Sequence, residues 1–315
     1  MQRPEVIEKL FDIVDETSMM ISAAGQMSYL QAICESCQNI ISQTISQSAI
    51  KEALWEQYDQ LEGLEFAREE VRKALQLAIL KGLKAEDLTN ALMTPDSIAL
   101  MVGYLISKFV RDLEKIRIAD LTVGTGNFLT AVLNQLEGNP VAIYGVDIDA
   151  NLLQIAYVLA DMQEHAIQFF HQSSLESLLI DPLDVIISDL PRQNLENDYL
   201  PYLLIENHLK YLKPGGYAFY VIPNDLFSQK GAKNFHQTLT SEANIQALLQ
   251  LPDKLFKASE LGKSLFVLQK QGDNVRNVQE ILVTPLPNFS EPSKFKNILN
   301  KIEDWIQVNK KENVK

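Results

Sequence analysis

The sequence of 315 residues predicts an α/β protein with a mostly parallel sheet, an antiparallel edge strand and an all-helical N-terminal domain. Three observations lead to this fold class. An apolar run from Ile116 enters a turn with Gly124 and Gly126, and a helical pattern follows the turn. Strand and helix patterns then alternate as far as residue 269. Residues 1–93, in contrast, contain helical patterns and little that suggests a strand.

The N-terminal domain is predicted over residues 1–93, where apolar residues recur at helical spacing. The four helical stretches lie at about 10–21, 29–45, 54–61 and 66–82. The segment holds 8 basic and 15 acidic residues, a balance unfavourable for reading DNA. We therefore expect its apolar faces to pack on the rest of the chain, on a partner subunit or in a homodimer.

The cysteines are Cys34 and Cys37, whose C-x-x-C spacing is compatible with a redox pair or half of a zinc site. A second cysteine pair is missing and the four histidines are scattered. Apolar residues surround both cysteines at helical spacing. We therefore interpret the thiols as facing a core, and we predict no metal site.

Composition and charge restrict the class of protein. Hydrophobic residues make up 46% of the chain and charged residues 22%, which is typical of a globular protein. The net charge of −13 opposes tight nonspecific binding to nucleic acids. No apolar stretch approaches the ~20 residues of a membrane span, and the first residues lack the layout of a signal peptide. We expect a cytoplasmic protein without a membrane partner.

The α/β domain is predicted over residues 94–284, with a helical C-terminal extension over 285–315. Thr94 suits a helix N-cap and Pro95 the first position of a helix that ends near Phe109. The predicted strands start near 116 and then cover 141–146, 167–171, 185–188, 217–222, 245–251, 265–269 and 281–283. The predicted helices cover 152–162, 199–212, 231–241 and 295–308. The strands at 245–251 and 265–269 are the candidates for an antiparallel edge.

The glycine turn is the first candidate for chemistry. Glycines let backbone N–H groups approach a ligand, and a helix start favours negative charge. Asp147 follows the second predicted strand, where a carboxylate can accept hydrogen bonds from ribose hydroxyls. Position 129 is Leu129 where dinucleotide enzymes have a third glycine, which argues against NAD or FAD. Another adenosine cofactor, or a turn without a ligand, stays open.

The second candidate is the segment Asp189-Leu190-Pro191-Arg192, which follows an apolar strand pattern. A carboxylate here can accept a hydrogen bond from an amine, and the Leu190 carbonyl can accept another. The alternative is an aspartate that only caps its own turn.

Gly124-Thr125-Gly126, Asp147 and Asp189-Leu190-Pro191 occur in the order found in class I S-adenosylmethionine-dependent methyltransferases, which this chain resembles. It looks most like the N6-adenine-specific DNA methylases, especially the modification subunits of type I restriction systems. The likeness covers about residues 90–270 and includes the stretches Thr94-Pro95, Asp120–Phe128, Lys213–Gly216, Leu251–Phe256 and Ser264–Leu268. The resemblance implies a Rossmann-like methyltransferase sheet.

The resemblance also implies S-adenosyl-L-methionine as the cofactor and methyl transfer to an amino nitrogen. It assigns cofactor binding to Thr94, Asp120, Gly124, Thr125, Gly126, Asn127, Phe128, Asp147, Ile148, Ser173 and Ser174. Gly124 and Gly126 would contact the methionine part, and Asp147 the ribose hydroxyls. The catalytic turn would be Asp189, Leu190, Pro191 and Arg192. In the family, its first side chain and the next carbonyl bind the amino group that is methylated.

Three positions depart from the family pattern. Leu190 replaces a proline, Arg192 replaces the aromatic residue that stacks on a flipped adenine, and Ser173 replaces an acid. Two functions stay open. One is a methyltransferase that acts on an amine or amide nitrogen, with nucleic-acid adenine as the family's substrate. The other is a cofactor-binding partner or sensor protein without turnover. For the isolated chain we expect only weak binding to nucleic acid, because it is acidic and lacks a long basic recognition region.

Overall fold

The computed structural model describes residues 3–89, 92–110, 113–136, 138, 140–256, 262–273 and 275–311. The N-terminal part contains the helices α1 (Pro4–Gly25), α2 (Tyr29–Ser42), α3 (Lys51–Tyr58) and α4 (Arg68–Ala85). Each corresponds to one of the four predicted helical stretches. The start of α2 shows why: Ser28 and Gln31 exchange side-chain and backbone hydrogen bonds in a capping box.

Strands and helices alternate in the rest of the chain, as the sequence predicts. The elements are α5 (Asp96–Phe109), β1 (Arg117–Asp120), α6 (Asn127–Leu133), β2 (Ala142–Asp147), α7 (Ala150–Asp161), β3 (Gln168–His171), β4 (Leu183–Asp189), β5 (Asn194–Leu195), β6 (Asp198–Tyr199), α8 (Leu200–His208), β7 (Leu212–Pro223), α9 (Ala232–Glu242), β8 (Ala243–Gln250), β9 (Lys263–Lys270), β10 (Leu282–Pro285) and α10 (Pro292–Lys311). The helix predicted to end at Leu212 is shorter, because Leu212 already pairs with Leu183 in the sheet.

Eight strands form one sheet in the order β10-β8-β9-β7-β4-β1-β2-β3. β1 runs parallel to its neighbours β2 and β4, and β4 runs parallel to β7. The mostly parallel sheet is thus confirmed. The antiparallel strand is β9, and it lies inside the sheet instead of at the predicted edge. The reason is that β8 lies on the far side of β9 and β10 pairs beyond β8.

Helices cover both faces of the sheet. Ile118 and Val185 belong to a core that includes α5, α6 and α10. Their neighbours Ala119 and Ile186 belong to a second core, which includes α8 and α9. Successive residues of a strand point to opposite faces, so burial of both neighbours makes these strands apolar without alternation.

The N-terminal helices pack on the α/β part through α7. Ile155, Val158 and Leu159 of α7 share a core with Cys34 and Cys37 of α2. Both cysteines are buried and free, and burial raises the pKa of the Cys34 thiol to about 12. The interpretation that these thiols face a core is confirmed.

The described part of the chain contains neither a helix that could span a membrane nor a group of side chains that could bind a metal ion. None of its helices has the length and apolar character needed to cross a membrane. It also holds no group of three or more His, Cys, Asp or Glu side chains that could bind a metal ion.

Arg72 of α4 links the helical part to the α/β part, and its side chain is almost completely buried. The guanidinium donates hydrogen bonds to Glu69, to Asp96 at 3.0 Å and to Asn127 at 2.7 Å. Burial disfavours the cation, but hydrogen bonds and charges of Glu69 and Asp96 keep the pKa of Arg72 above its ordinary value. Since α5 begins at Asp96 and α6 at Asn127, Arg72 fastens both helices to α4.

Replacement of Arg72 with Met is expected to lower the free energy of unfolding by about 3 kcal/mol, because the partly buried carboxylates of Glu69 and Asp96 and the buried Asn127 lose their cationic partner. Urea unfolding measures this change. Arg117→Met is the control, since the Arg117–Asp181 ion pair is more exposed and should be worth less than about 1 kcal/mol. Equal losses in the two variants would contradict the linking role of Arg72.

Candidate active site

Three carboxylates end three adjacent strands: Asp189 ends β4, Asp120 ends β1 and Asp147 ends β2. β1 pairs in parallel with both β2 and β4, so the three strand ends lie at the same edge of the sheet. Ligands of open parallel sheets bind at this edge, where the chain leaves the strands. The structure thus brings together the acids that the sequence singled out.

The glycine turn connects β1 to α6 and lies against the end of β2. Gly124 and Gly126 have φ angles of 53° and 77°, in the left-handed region that favours glycine. The Gly124 N–H donates to Asp147 Oδ2 at 2.7 Å, while the Asp149 N–H donates to Asp147 Oδ1 at 2.9 Å. Asp147 therefore holds the turn while its carboxylate remains at the sheet edge.

Packing requires glycine at 126 as well. A Cβ atom at Gly126 would lie 3.0 Å from the Cα and Cβ atoms of Ala156 in α7. At Gly124 the nearest atom would be the Leu92 carbonyl oxygen at 3.7 Å, an ordinary contact. Packing against α7 therefore restricts position 126 to glycine independently of the predicted ligand contact, because a larger residue would displace α7.

Asp120 is buried beneath the turn. Its Oδ1 accepts hydrogen bonds from the Thr122 N–H at 3.1 Å and the Ser188 hydroxyl at 3.3 Å. Among the described residues, Oδ2 has no hydrogen-bond partner. Burial, aided by the charges of Asp147 and Asp189, raises the pKa of Asp120 to about 8, against the effect of the two hydrogen bonds. Asp120 is therefore mostly protonated at neutral pH.

Asp189 is held by two side chains from distant parts of the sequence. Lys263 Nζ pairs with its Oδ1 at 2.5 Å, and the Thr94 hydroxyl donates to its Oδ2 at 2.9 Å. Lys263 begins β9, two strands away from β4 in the sheet. The Lys263 and Asp189 side chains are 20% and 14% exposed. Each oxygen of this carboxylate thus already has a donor.

The rest of the turn after Asp189 divides into a buried and an exposed part. Leu190 is fully buried, and its N–H donates to the Val221 carbonyl at 2.9 Å. Pro191 and Arg192 are exposed. The Arg192 guanidinium pairs with Asp225 at 2.5 Å. The side chain that replaces the family's aromatic residue is therefore engaged by a carboxylate.

Thr94 is not the helix cap that the sequence predicts. α5 begins one residue later than predicted, at Asp96, with Pro95 at the N-cap. The Thr94 hydroxyl turns to Asp189 instead, and the Thr94 carbonyl accepts a hydrogen bond from Asn127 Nδ2 at 3.1 Å. Asn127 Oδ1 in turn accepts from Arg72. The Asn127 side chain therefore positions Thr94, which is a different role from the predicted ligand contact.

The two serines after β3 face different surroundings. The Ser174 hydroxyl lies 3.2 Å from Nε2 of the buried His208, so it faces inward and not toward the sheet edge. The hydroxyl is thus engaged within the fold, and the assignment of Ser174 to cofactor binding stays a prediction. The Ser173 hydroxyl accepts a hydrogen bond from the Leu175 N–H at 3.2 Å, and Ser173 is partly exposed.

The other assigned residues differ in exposure. Thr125 and Phe128 are buried. Ile148 is 72% exposed beside Asp147. An exposed apolar side chain next to a carboxylate suits a ligand with both an apolar face and hydroxyl groups.

Sequence reasoning missed three residues of the site: Lys263, Asp225 and Arg72. Lys263 and Asp189 are separated by 74 positions, and Arg72 and Asn127 by 55. No local pattern joins such partners. The only signal for Lys263 was its place at the start of a strand pattern that follows a polar segment.

Comparison with known proteins agrees with this arrangement. A family model described as N-6 DNA Methylase matches residues 89–312, and one described as the YtxK N-terminal helical domain matches residues 8–83. The chain belongs to the N-6 DNA methylase family.

Two relatives match nearly the whole of this family member. The uncharacterized protein YtxK of Bacillus subtilis is 36% identical over 323 residues, which are 96% of this chain and 98% of that protein. The crystal structure of a candidate class I S-adenosylmethionine-dependent methyltransferase from Listeria monocytogenes is 33% identical, with a TM-score of 0.90 over 96% of this chain and 100% of that one.

A second solved structure shares only the fold. The methyltransferase subunit of a type I restriction-modification system from Streptococcus thermophilus is 13% identical, with a TM-score of 0.60. The alignment covers 97% of this chain and 75% of that chain. The resemblance found in the sequence, to class I methyltransferases and type I methyltransferase subunits, is confirmed.

Membership of the N-6 DNA methylase family implies S-adenosylmethionine as the cofactor. The sheet edge fits it. Its ribose hydroxyls and its cationic groups require acceptors and negative charge. Asp147 provides both at the sheet edge, and the buried Asp120 has an oxygen without a partner among the described residues. The turn at Gly124 leaves room for a close ligand, since a Cβ atom there would make only one ordinary contact.

Binding of the cationic cofactor is expected to release protons from Asp120. A nearby cation favours the charged carboxylate and lowers its pKa. The free protein carries this proton below about pH 8, so release occurs between the lowered pKa and pH 8, and the affinity rises with pH in that window. Calorimetry at pH 7 in buffers with different protonation enthalpies measures the release.

Asp120→Asn is the control for this prediction. The variant can keep the Oδ1 contacts with Thr122 and Ser188 but cannot ionise at this position. Protons released by the ligand itself are the same for both proteins. Subtracting the proton release of the variant from that of wild type therefore leaves the contribution of Asp120. Identical proton release in both proteins would show that Asp120 is not its source.

Proposed function

We propose that the protein transfers a methyl group to an amino nitrogen held by the Asp189-Leu190-Pro191 turn, with nucleic-acid adenine as the acceptor class. The observation that carries the proposal is the position of Asp189. It ends β4 at the same sheet edge as the glycine turn and Asp147, for which the sequence resemblance implies contact with the cofactor. An acceptor at Asp189 would therefore lie next to the methyl donor.

In this reaction the main task of the protein is to orient the acceptor amine toward the methyl donor. S-adenosylmethionine, when bound, supplies an electrophilic methyl group on a sulfonium. Asp189 would accept one hydrogen bond from the acceptor amine, and the Leu190 carbonyl would accept another. Two accepted bonds turn the nitrogen lone pair toward the donor, so the rate gain comes from positioning and electrostatics.

A second function is favoured by the contacts around this turn. Both oxygens of Asp189 are engaged, by Lys263 and by Thr94, and Arg192 is paired with Asp225. Such a closed acceptor side would also suit a protein that binds the cofactor without turnover and serves as a partner or sensor. Transfer of labelled methyl to DNA, RNA or cell extract distinguishes the two functions, since only the methyltransferase labels an acceptor.

Asp189→Ala is expected to leave cofactor affinity within about threefold and to lower methyl transfer by about a hundredfold or more. The reason is that Asp189 would contact the acceptor nitrogen and not the ribose. Calorimetry with S-adenosylhomocysteine and a labelled-methyl assay measure the two effects. Asp181→Ala, which changes an exposed acid paired with Arg117, is the control. Equal activity of the Asp189 variant and wild type would place the chemistry elsewhere.

Duplex DNA is expected to bind the isolated chain weakly and without sequence preference. Each phosphate contact needs a cation, and the chain carries a net charge of −13. Titration of labelled duplexes at about 0.15 M salt should give micromolar or weaker affinity. Nanomolar, sequence-dependent binding would contradict this expectation.

Arg192→Tyr should raise base methylation, because it offers an aromatic ring to a flipped base.

A further inference from the structure

We propose that Lys263 is a positioning residue that selects methyl acceptors with a phosphate close to the amino nitrogen. The inference rests on the proposed function and adds a charge requirement to it. Lys263 Nζ lies 2.5 Å from Asp189 Oδ1, and the Thr94 hydroxyl lies 2.9 Å from Oδ2. An ammonium and a hydroxyl therefore already donate to the two oxygens to which an acceptor amine would donate its hydrogen bond.

An acceptor amine has to compete with this ammonium for Asp189. A hydrogen bond between two ionised groups is stronger than one from a neutral amine to the same carboxylate. The two side chains are only 20% and 14% exposed, so water screens their attraction incompletely. A neutral amine alone is therefore a poor competitor for the carboxylate.

Displacement of Lys263 also leaves its own charge without a partner. An unpaired charge in a partly buried site is costly, so the ammonium needs a new anion when it leaves Asp189. The backbone of Lys263 stays fixed, because its carbonyl accepts the Leu251 N–H at 3.0 Å and the residue pairs with Pro223. Only the flexible side chain has to swing, so the anion must lie within the reach of one lysine.

A phosphate of the acceptor itself supplies this anion. Lysine binds phosphate as a compact point charge, and every base in a nucleic acid is accompanied by phosphodiester groups. A free base or nucleoside brings the amine without the anion and would leave the Lys263–Asp189 pair in place. One such contact adds selectivity at the site without making the acidic surface a general nucleic-acid binder.

The test compares two short single-stranded oligonucleotides of one adenine-containing sequence. One has natural phosphodiester links beside the adenine, and the other has uncharged methylphosphonate links there. Fluorescence anisotropy at about 0.15 M salt with saturating S-adenosylhomocysteine measures the affinity of the full-length protein for each. We expect wild type to prefer the charged form by about tenfold, the size of one charged hydrogen bond.

Lys263→Met should reduce this preference to less than about twofold, because the exchange partner is removed. Lys263→Arg should retain most of it. The matched control is Lys270→Met, which removes a lysine from the other end of β9, where it pairs with Glu242. The control should keep the wild-type preference. No preference in wild type, or the same preference in Lys263→Met, would overturn the proposal.

A further variant covers the case in which Lys263→Met fails to fold. Asp189→Asn replaces the ion pair with a weaker contact, so Lys263 no longer has to leave a carboxylate. The charged oligonucleotide should therefore bind this variant more tightly than it binds wild type. Unchanged or weaker binding would again overturn the proposal. A labelled-methyl assay on the same oligonucleotides tests the proposed function separately. A preference for the charged oligonucleotide without methyl transfer refutes the methyltransferase function. Methyl transfer without that preference refutes the role of Lys263.

Discussion

Negative charge at the carboxyl edge of the sheet is the constraint on which the rest of the site depends. Asp120, Asp147 and Asp189 end neighbouring strands, and like charges this close oppose one another. Each acid is stabilised differently. Asp147 accepts backbone N–H groups, Asp189 pairs with Lys263, and Asp120 keeps its proton up to about pH 8. The glycine turn and the start of β9 are placed where they satisfy two of these acids.

The N-terminal helices contribute to the same site through a chain of hydrogen bonds. Arg72 donates to Asn127, Asn127 donates to the Thr94 carbonyl, and the Thr94 hydroxyl donates to Asp189. The three bonds measure 2.7, 3.1 and 2.9 Å. The first donor in this series of hydrogen bonds, Arg72, is a buried cation. The series therefore starts from an interaction that is costly to break. The helical part is thus a support for the acid as well as a packing partner.

Local patterns in the sequence were sufficient for most elements of the fold. Alternating strand and helix patterns predicted the sheet, and the glycines at 124 and 126 predicted a turn that does require left-handed angles. Strand order is not encoded locally, which is why the antiparallel β9 was expected at an edge. The burial of individual polar side chains also cannot be predicted from local sequence patterns. The protonation of Asp120 and the inward turn of Ser174 follow from groups that only the fold brings together.

The two halves of the site depart unequally from the family pattern. The proposed cofactor half keeps the glycine turn and Asp147, whereas the proposed acceptor half has Leu190 and Arg192. The change at 190 has a physical consequence, because leucine has an N–H that proline lacks. That N–H donates to the Val221 carbonyl of β7, so the turn is fastened to its neighbouring strand. The turn is therefore retained with a different attachment.

Charge takes the place of aromatic surface in this acceptor half. Arg192 is tied to Asp225, and Asp189 is tied to Lys263 and Thr94. An aromatic ring attracts a base through its flat face, whereas displacement of these ion pairs favours an acceptor that brings its own charge. An acceptor recognised here would have to satisfy displaced cations as well as present an amine. The departures from the family pattern thus favour a change in how the acceptor is recognised, with the position of Asp189 kept.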